Sequence, residues 1–233
     1  MIDTIIFDGE GIVIDTEMIW DKSQEEFLRR RGFVYDRERI KPLLTGRTLA
    51  EGVEIMKQAY TFAGDTEVLA HERADIVRDL FSHEVNFIEG FPEFFESVRG
   101  RYKTCIATAM DQDLLELVDY RLGLSTLFDN RIYTLVNVGY RSKPNPDIFL
   151  YAAQQLHSFP ENCVVIEDAP HGITAARKAG MRCIAICTTY DYEKLKDADF
   201  VVDSYADIDL VSMDKLVSTG GDPTFVANAR LKH

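Results

Sequence analysis

The sequence predicts an α/β protein with a doubly wound parallel sheet and an inserted helical domain. From about residue 92, short apolar runs alternate with helical patterns of about ten residues, which is typical of strands joined by right-handed crossovers. Residues 18 to 85 instead carry apolar side chains at three- and four-residue spacing, with no convincing strand. Because an apolar run at residues 3–7 precedes this block, the block is an insertion after the first strand.

The individual elements follow from periodicity and from glycine, proline or capping residues at their ends. In the helical block, helices are predicted at residues 18–31, 48–62 and 66–83. In the alternating part, helices are predicted at residues 92–98, 111–122, 146–156 and 171–179. The predicted strands, after the first, are residues 103–108, 132–136, 163–166, 182–186 and 200–202.

This pattern predicts two domains and a tail. Residues 1–16 and 86–216 form the expected α/β core, and residues 17–85 form a helical cap placed over the strand ends. The chain passes between them near residues 14–18 and 84–91. Residues 217–233 contain Gly and Pro and are weakly periodic, which is typical of a loosely docked or disordered terminus.

Composition narrows the class of protein. Apolar residues make up 46% of the 233 residues, enough for a sizeable core. The net charge of −13 argues against nucleic acid and anionic membranes as partners. We find no signal-like leader and no apolar run near the ~20 residues of a membrane helix, and the cysteines lack CxxC spacing. We therefore expect a cytoplasmic protein with buried thiols. A monomer or weak dimer is a separate expectation.

Polar residues lie at four of the predicted strand ends, where a core would not favour them. They are Asp8 with Glu10, Thr108, Lys143, and Glu167 with Asp168. The carboxyl ends of parallel strands share one edge of the sheet, where open α/β folds bind ligands. Carboxylates suit a Mg²⁺ ion, and the added hydroxyl and ammonium suit phosphoryl transfer, in which positioning and charge neutralisation dominate.

The residues alone leave the individual roles open. Of the Asp8–Glu10 pair, one carboxylate fits a nucleophile or metal ligand and the other an acid/base group. The same carboxylates, and the hydroxyl of Thr108, also fit the capping of turns and helices.

Together, these segments resemble the four motifs of the haloacid dehalogenase superfamily, in particular its β-phosphoglucomutase-like and phosphatase-like members. The motifs are FDGEGIVIDTE, IATAM, KPNPDIF and VIEDAPHGITAARKAGM, in this order. The resemblance covers about residues 1–215 and implies a Rossmann-like core with a small helical cap. It further implies a Mg²⁺-dependent phosphatase that acts on a small phosphorylated metabolite, such as a sugar phosphate.

The resemblance also implies a role for each motif residue. Asp8 would attack phosphorus and become an aspartyl-phosphate, while Lys143 stabilises the charge. Thr108 and the amide of Ala109 would hold phosphate oxygens. The side chain of Glu10 would protonate the leaving oxygen and then activate water.

For the metal, the resemblance implies the carboxylates of Asp8 and Asp168 and the main-chain carbonyl of Glu10, with Glu167 as an accessory group. In the cap, the loop of residues 44–48, with Gly46 and Arg47, would contact the substrate. An equally good interpretation of this loop is a helix start capped by Thr48.

Glu10 departs from the family pattern, which has Asp at this position. The extra methylene moves the carboxylate by about 1–1.5 Å, and such misplacement can cost ~10²-fold in rate. Three explanations stay open: an active enzyme with a re-spaced acid, a catalytically impaired phosphosugar-binding regulatory protein, or a residue introduced into the natural sequence.

Other activities fit these residues less well than a phosphatase does. A phosphomutase needs a second phosphate site, for which Arg47 alone is thin support. A receiver-like phospho-acceptor module does not have the helical insert. A dehalogenase would carry an Arg shortly after Asp8, and none is present. A phosphonatase would need a Schiff-base lysine from the cap, for which Lys22 is the candidate.

Overall fold

The computed structural model describes residues 2–44 and 47–208. Within these ranges, six parallel strands form one sheet in the order β3-β2-β1-β4-β5-β6. The strands are β1 Thr4–Phe7, β2 Lys103–Ala107, β3 Ile132–Tyr133, β4 Cys163–Glu167, β5 Arg182–Ile186 and β6 Phe200–Val202. The predicted α/β fold with a doubly wound parallel sheet is confirmed.

Helices connect these strands and fill the insertion after β1. The α-helices are α1 Glu17–Arg29, α2 Arg37–Leu44, α3 Leu49–Tyr60, α4 Thr66–His83, α5 Phe91–Val98, α6 Gln112–Leu122, α7 Leu124–Leu127, α8 Asp147–Gln155, α9 Pro170–Lys178 and α10 Tyr192–Leu195. Single 3₁₀ turns occur at Leu135–Val138, Pro160–Asn162 and Tyr205–Asp207. None of the helices in the described ranges has the length and apolar character that a membrane span requires.

The described chain divides into two compact units. One contains the described residues of Met1–Asp15, Asn86–Leu115 and Leu122–His233 and holds the whole sheet. The other contains Thr16–Val85, apart from residues 45–46, and Glu116–Arg121. The predicted core and cap boundaries stay predictions, and the predicted tail at residues 217–233 lies outside the described residues.

The central strands of the first unit are buried on both faces, as the continuous apolar runs predict. Every residue of β1 and of β4 is buried. Ile6 of β1 packs in a cluster with Phe149 of α8 and Ile173 of α9. The ring centroid of Phe7 lies within 6.3 Å of those of four other phenylalanines: Phe91, Phe94, Phe95 and Phe128. Because neighbouring side chains on a strand point to opposite faces, β1 anchors two packed layers.

Helices α1 to α4 of the second unit share their own apolar core. Each helix contributes two buried residues: Phe27, Leu28, Ile40, Leu44, Val53, Met56, Leu69 and Ile76. Two helix starts are capped by side chains. Thr48 accepts from the N–H of Glu51 in a capping box, and Asp65 accepts from the N–H of Val68 at 3.0 Å. Thr48 is therefore the N-cap residue of α3, as the helix-start interpretation of this loop predicts.

The structure differs from the sequence-based expectations in one strand and in helices α2, α7 and α10, which were not predicted. The strand predicted at residues 132–136 ends at Tyr133, because the N–H of Thr134 donates to the side chain of Asn137 at 2.8 Å and starts a 3₁₀ turn. Helix α2 was not predicted, because it contains Pro42 and mostly charged residues that hide its short apolar face.

Three of the four cysteines are buried and Cys187 is half-buried.

Replacing Phe7 by alanine tests the aromatic layer. We expect Phe7→Ala to lower the free energy of unfolding by about 3–5 kcal/mol, because it removes a fully buried ring from a packed cluster. The matched control is Phe159→Ala, since Phe159 is 70% exposed, and its effect should stay within about 0.5 kcal/mol. Urea denaturation measures both variants. Equal losses would contradict this description of the core.

Candidate active site

The sheet register brings three of the predicted site segments to one edge. Phe7 of β1 is paired with Ile106 of β2 on one side and Ile166 of β4 on the other. The residues that follow each strand are therefore neighbours. The N–H of Asp8 donates to the carbonyl of Ile166 at 3.0 Å, and the N–H of Thr108 donates to that of Tyr133 at 2.9 Å. Asp8, Thr108 and the end of β4 are thus fixed by main-chain bonds.

Lys143 joins two of these strand ends through its ammonium group. Its Nζ donates to Oδ1 of Asp8 at 2.6 Å and to Oε1 of Glu167 at 2.7 Å. The lysine is only 8% exposed, although it lies in the loop before α8, and its Nζ is 4.9 Å from the ring centroid of Phe149. A buried charge requires such partners, because removing one leaves the other uncompensated.

Glu167 is held in place by hydrogen bonds to both of its carboxylate oxygens. It is fully buried, and its Oε2 accepts from the N–H groups of Asp168 and Ala169, both at 2.9 Å. Its Oε1 accepts from Lys143. Gly172 in α9 leaves the space for this carboxylate, since a Cβ there would lie 1.7 Å from Oε1. Glu167 is therefore held by the chain itself and orients Lys143.

Electrostatics at this edge are set by burial and by an excess of negative charge. Burial raises the pKa of Asp8 to about 7, with Lys143 opposing this rise and Glu167 adding to it. Burial, then Glu167 and Asp8, raise the pKa of Asp168 well above its usual value. Burial disfavours the charge of Lys143, but the two carboxylates outweigh this effect and raise its pKa.

The donor set fits a divalent cation. Oxygens of Asp8, Glu167 and Asp168 lie within 4.8 Å of one another. Carboxylate oxygens are the ligands that hard cations prefer, and three carboxylates exceed the single ammonium by two charges. Because both oxygens of Glu167 already accept hydrogen bonds, Asp8 and Asp168 fit as direct ligands, while Glu167 acts through Lys143 and the main chain.

Glycine on both sides of Glu10 permits close packing of the turn. A Cβ on Gly9 would lie 2.5 Å from Oγ1 of Thr108, so the threonine hydroxyl sits directly against the turn. Gly11 has φ +72°, and a Cβ on it would lie 1.9 Å from Oδ2 of Asp168. The turn thus contacts both Thr108 and Asp168 through bare backbone. Glu10 between them is half-buried.

Thr189 belongs to the site and was not predicted from the sequence. Its hydroxyl is hydrogen-bonded to the carboxylate of Asp168, which opposes the rise of the aspartate pKa. It also lies close to Gly11, whose Cβ would be 2.8 Å from its Oγ1. The available signal was the polar pair Thr188–Thr189 just after β5, the same strand-end position that identified the other residues.

The remaining predicted site residues are placed as follows. Ala109 is exposed directly after Thr108. Arg47 lies in the second unit before α3, is exposed, and donates its main-chain N–H to Leu44 at 3.0 Å. Gly46 lies outside the described residues. The substrate-contacting roles of Ala109, Gly46 and Arg47 stay predictions, as does the acid/base role of Glu10.

A parallel α/β sheet that ends in a lysine-bridged carboxylate cluster, with a hydroxyl beside it, has the groups that chemistry on phosphate groups requires. The family model of the haloacid dehalogenase-like hydrolases matches residues 5–186 of this chain. The chain belongs to that family, and within it to the hydrolases of the phosphatase type. The predicted family membership is confirmed.

Known proteins similar to this chain agree with this assignment. Fructose-1-phosphate phosphatase YqaB of Escherichia coli (strain K12) is 32% identical over 186 residues, which is 78% of this chain and 95% of that protein. A HAD family hydrolase of Deinococcus radiodurans R1, solved with phosphate and sodium, has 26% identity and a TM-score of 0.78, covering 93% of this chain and 97% of that one. The β-phosphoglucomutase of Clostridium difficile has 26% identity and a TM-score of 0.66, covering 94% and 98%.

Alanine at Gly11 tests the cation site. We expect bound Mg²⁺ to stabilise the unaltered protein by about 2.7 kcal/mol at a hundredfold excess over its Kd. Gly11→Ala should lose most of this gain, because its Cβ displaces Asp168. The control is Gly180→Ala, since Gly180 has a similar φ of +74° but nothing within 4 Å of its Cβ.

Both variants share the backbone strain of about 1–2 kcal/mol, so their difference isolates the clash. Urea denaturation with MgCl₂ and with EDTA measures the metal-dependent part of the free energy of unfolding. A full Mg²⁺-dependent gain in Gly11→Ala would contradict the placement of the site.

Proposed function

We propose that this chain is a Mg²⁺-dependent phosphatase of small phosphorylated metabolites, with sugar phosphates as the first substrate class, acting through an aspartyl-phosphate on Asp8. The observation that carries the proposal is the Lys143 ammonium between Asp8 and Glu167, at a sheet edge that also holds Thr108 and Asp168. This sheet edge thus brings together the fixed carboxylate of Asp8, the positive charge of Lys143 and the hydroxyl of Thr108.

In the first half-reaction, a carboxylate oxygen of Asp8 forms a bond to phosphorus as the bond from phosphorus to the leaving oxygen breaks. Lys143 balances the charge on Asp8 and on the transferred group. Thr108 and the amide of Ala109 donate hydrogen bonds to phosphate oxygens. Asp8, Asp168 and the main-chain carbonyl of Glu10 would hold a Mg²⁺ ion, whose charge offsets that of the phosphate.

Protons pass through the side chain of Glu10. Its carboxylic acid gives a proton to the leaving oxygen, and the resulting carboxylate takes a proton from the water that attacks phosphorus. The bond between phosphorus and Asp8 then breaks and phosphate is released. The main-chain carbonyl of Glu10 is independent of side-chain length, so the longer side chain affects proton transfer rather than cation binding.

Substrate choice is inferred from similarity and from the loop before α3. The similarity to fructose-1-phosphate phosphatase YqaB over 78% of this chain supports a sugar phosphate. Arg47, with Gly46, is proposed to contact the substrate, because a guanidinium forms paired hydrogen bonds to phosphate oxygens. Cytoplasmic location, a monomer or weak dimer, and the absence of nucleic-acid and membrane partners stay predictions from composition.

Two alternatives have specific support. The similarity to a β-phosphoglucomutase over 94% of this chain favours a mutase, in which the phosphoenzyme passes its phosphoryl group to a second sugar hydroxyl rather than to water. Glu10 favours a catalytically impaired protein that binds phosphosugars in a regulatory role, because its carboxylate is displaced by about 1 Å relative to the usual Asp. All three share cation binding and capture of phosphate at Asp8.

A phosphate-release screen on sugar phosphates with Mg²⁺ tests the proposal. We expect turnover in the unaltered chain, none in Asp8→Asn, and up to ~10²-fold higher kcat in Glu10→Asp, because the shorter acid restores the family spacing. Asp113→Asn, an exposed carboxylate on α6, is the control and should keep full activity.

Each outcome of the screen supports or excludes one of the proposed functions or residue roles. Turnover in Asp8→Asn would refute the nucleophile. Equal kcat in the unaltered chain and Glu10→Asp would show that the longer acid is not impaired. Turnover only in Glu10→Asp would replace the phosphatase by the regulatory alternative, and sugar bisphosphate-dependent isomerisation in place of phosphate release would replace it by the mutase.

A further inference from the structure

Tyr205 makes a buried contact with the turn that carries Glu10. It starts the 3₁₀ turn after β6, is 3% exposed, and its hydroxyl donates to the carbonyl of Ile12 at 2.8 Å. Its ring centroid lies 5.9 Å from that of Phe91 and 5.0 Å from that of Phe94. The ring is therefore fixed in the core while the hydroxyl reaches the turn.

The turn at residues 9–14 also has internal hydrogen bonds. The N–H groups of Val13 and Ile14 donate to the carbonyl of Gly9 at 3.0 and 2.9 Å, and the N–H of Gly11 donates to Ile14 at 2.9 Å. These bonds define the shape of the turn. The bond from Tyr205, 193 residues away in sequence, ties that shape to the core of the same unit.

We propose that Tyr205 is a positioning residue for acid catalysis: its hydroxyl holds the turn at residues 9–14 so that Glu10 stays aligned with Asp8. This inference rests on the proposed role of Glu10 as the acid. A buried carbonyl that loses its partner is left unsatisfied at a cost in free energy, which favours a shift of its segment toward another donor, and a shift of about 1 Å at a reacting group can cost ~10²-fold in rate.

The tyrosine hydroxyl suits this task over the whole physiological pH range. Burial, with the nearby charges of Asp168 and Asp8, raises the pKa of Tyr205 well above its usual value. The group therefore stays a neutral donor. A phenylalanine would fill nearly the same space against Phe91 and Phe94, so packing alone does not require the hydroxyl.

Tyr205→Phe keeps the ring and removes only the hydroxyl, so it tests the inference directly. We expect the rate of leaving-group release in the first turnover to fall by about tenfold for an alkyl phosphate, because an alkoxide leaving group needs the proton that Glu10 supplies. For p-nitrophenyl phosphate, whose leaving group needs no protonation, we expect this first-turnover rate to fall by less than about twofold. KM should change little for either substrate.

A control variant and a double variant distinguish a positioning role of Tyr205 from a purely structural role. Tyr151→Phe removes a hydroxyl from a half-buried tyrosine on α8 and should change neither rate. In a Glu10→Gln background, Tyr205→Phe should cause no further fall in alkyl phosphate turnover, since the two residues act through one proton transfer. Equal falls for both substrates, or an unchanged alkyl rate, would overturn the inference.

The failure of this inference is distinguishable from that of the proposed function. If Glu10→Gln itself leaves alkyl phosphate turnover unchanged, Glu10 is not the acid and both fail. If Glu10→Gln lowers it and Tyr205→Phe does not, only the role of Tyr205 fails. Amide hydrogen exchange of the unaltered protein gives a test without a variant: slow exchange at Gly11, Val13 and Ile14 is expected, and fast exchange would overturn the inference.

Discussion

The Lys143 ammonium, held between the buried carboxylates of Asp8 and Glu167, is the interaction on which the rest of the site depends. Desolvated charges are costly unless they are paired and hydrogen-bonded. The chain meets this condition through main-chain donors to Glu167, space left by Gly172, and strand pairing that places Asp8 beside β4. The same contacts therefore compensate the buried charges at this edge and orient the proposed nucleophile.

The excess of carboxylates over ammonium explains why this edge suits a phosphate only together with a cation. When all three carboxylates are ionised, Asp8, Glu167 and Asp168 exceed Lys143 by two negative charges. Burial in the first place, and neighbouring carboxylates in the second, raise the pKa values of Asp8 and Asp168. An anionic substrate would be repelled by such a cluster. A divalent cation offsets the excess, so cation binding and phosphate binding are expected to be coupled.

The strand ends could be predicted from the sequence, because buried parallel strands are continuous apolar runs and a polar residue directly after such a run marks its end. This identified Asp8, Thr108, Glu167 and Asp168. Lys143 was also expected at a strand end, but it lies in the loop between the 3₁₀ turn at Leu135–Val138 and α8, so its reach to Asp8 and Glu167 could not be read from a strand pattern. Thr189 was missed because its polar pair followed no recognised motif.

Other features depend on contacts between distant parts of the chain. The hydroxyl of Tyr205 contacts Ile12, which is 193 residues away in sequence, and nothing local in DSYAD indicates that contact. Helix α2 is stabilised by the packing of Ile40 and Leu44 in the apolar core of α1 to α4, rather than by the helix-forming tendency of its own sequence. The strand at residues 132–136 was overestimated because β-branched and apolar residues also suit a 3₁₀ turn once Asn137 caps it.

The central claim is that Asp8 becomes covalently phosphorylated. It is tested most directly by mixing the Mg²⁺-loaded protein with a turned-over sugar phosphate, quenching in acid within the first turnover, and locating phosphate by peptide mass spectrometry. The account predicts phosphate on the peptide that contains Asp8. Turnover without phosphate on Asp8, or with phosphate on another residue, would contradict it.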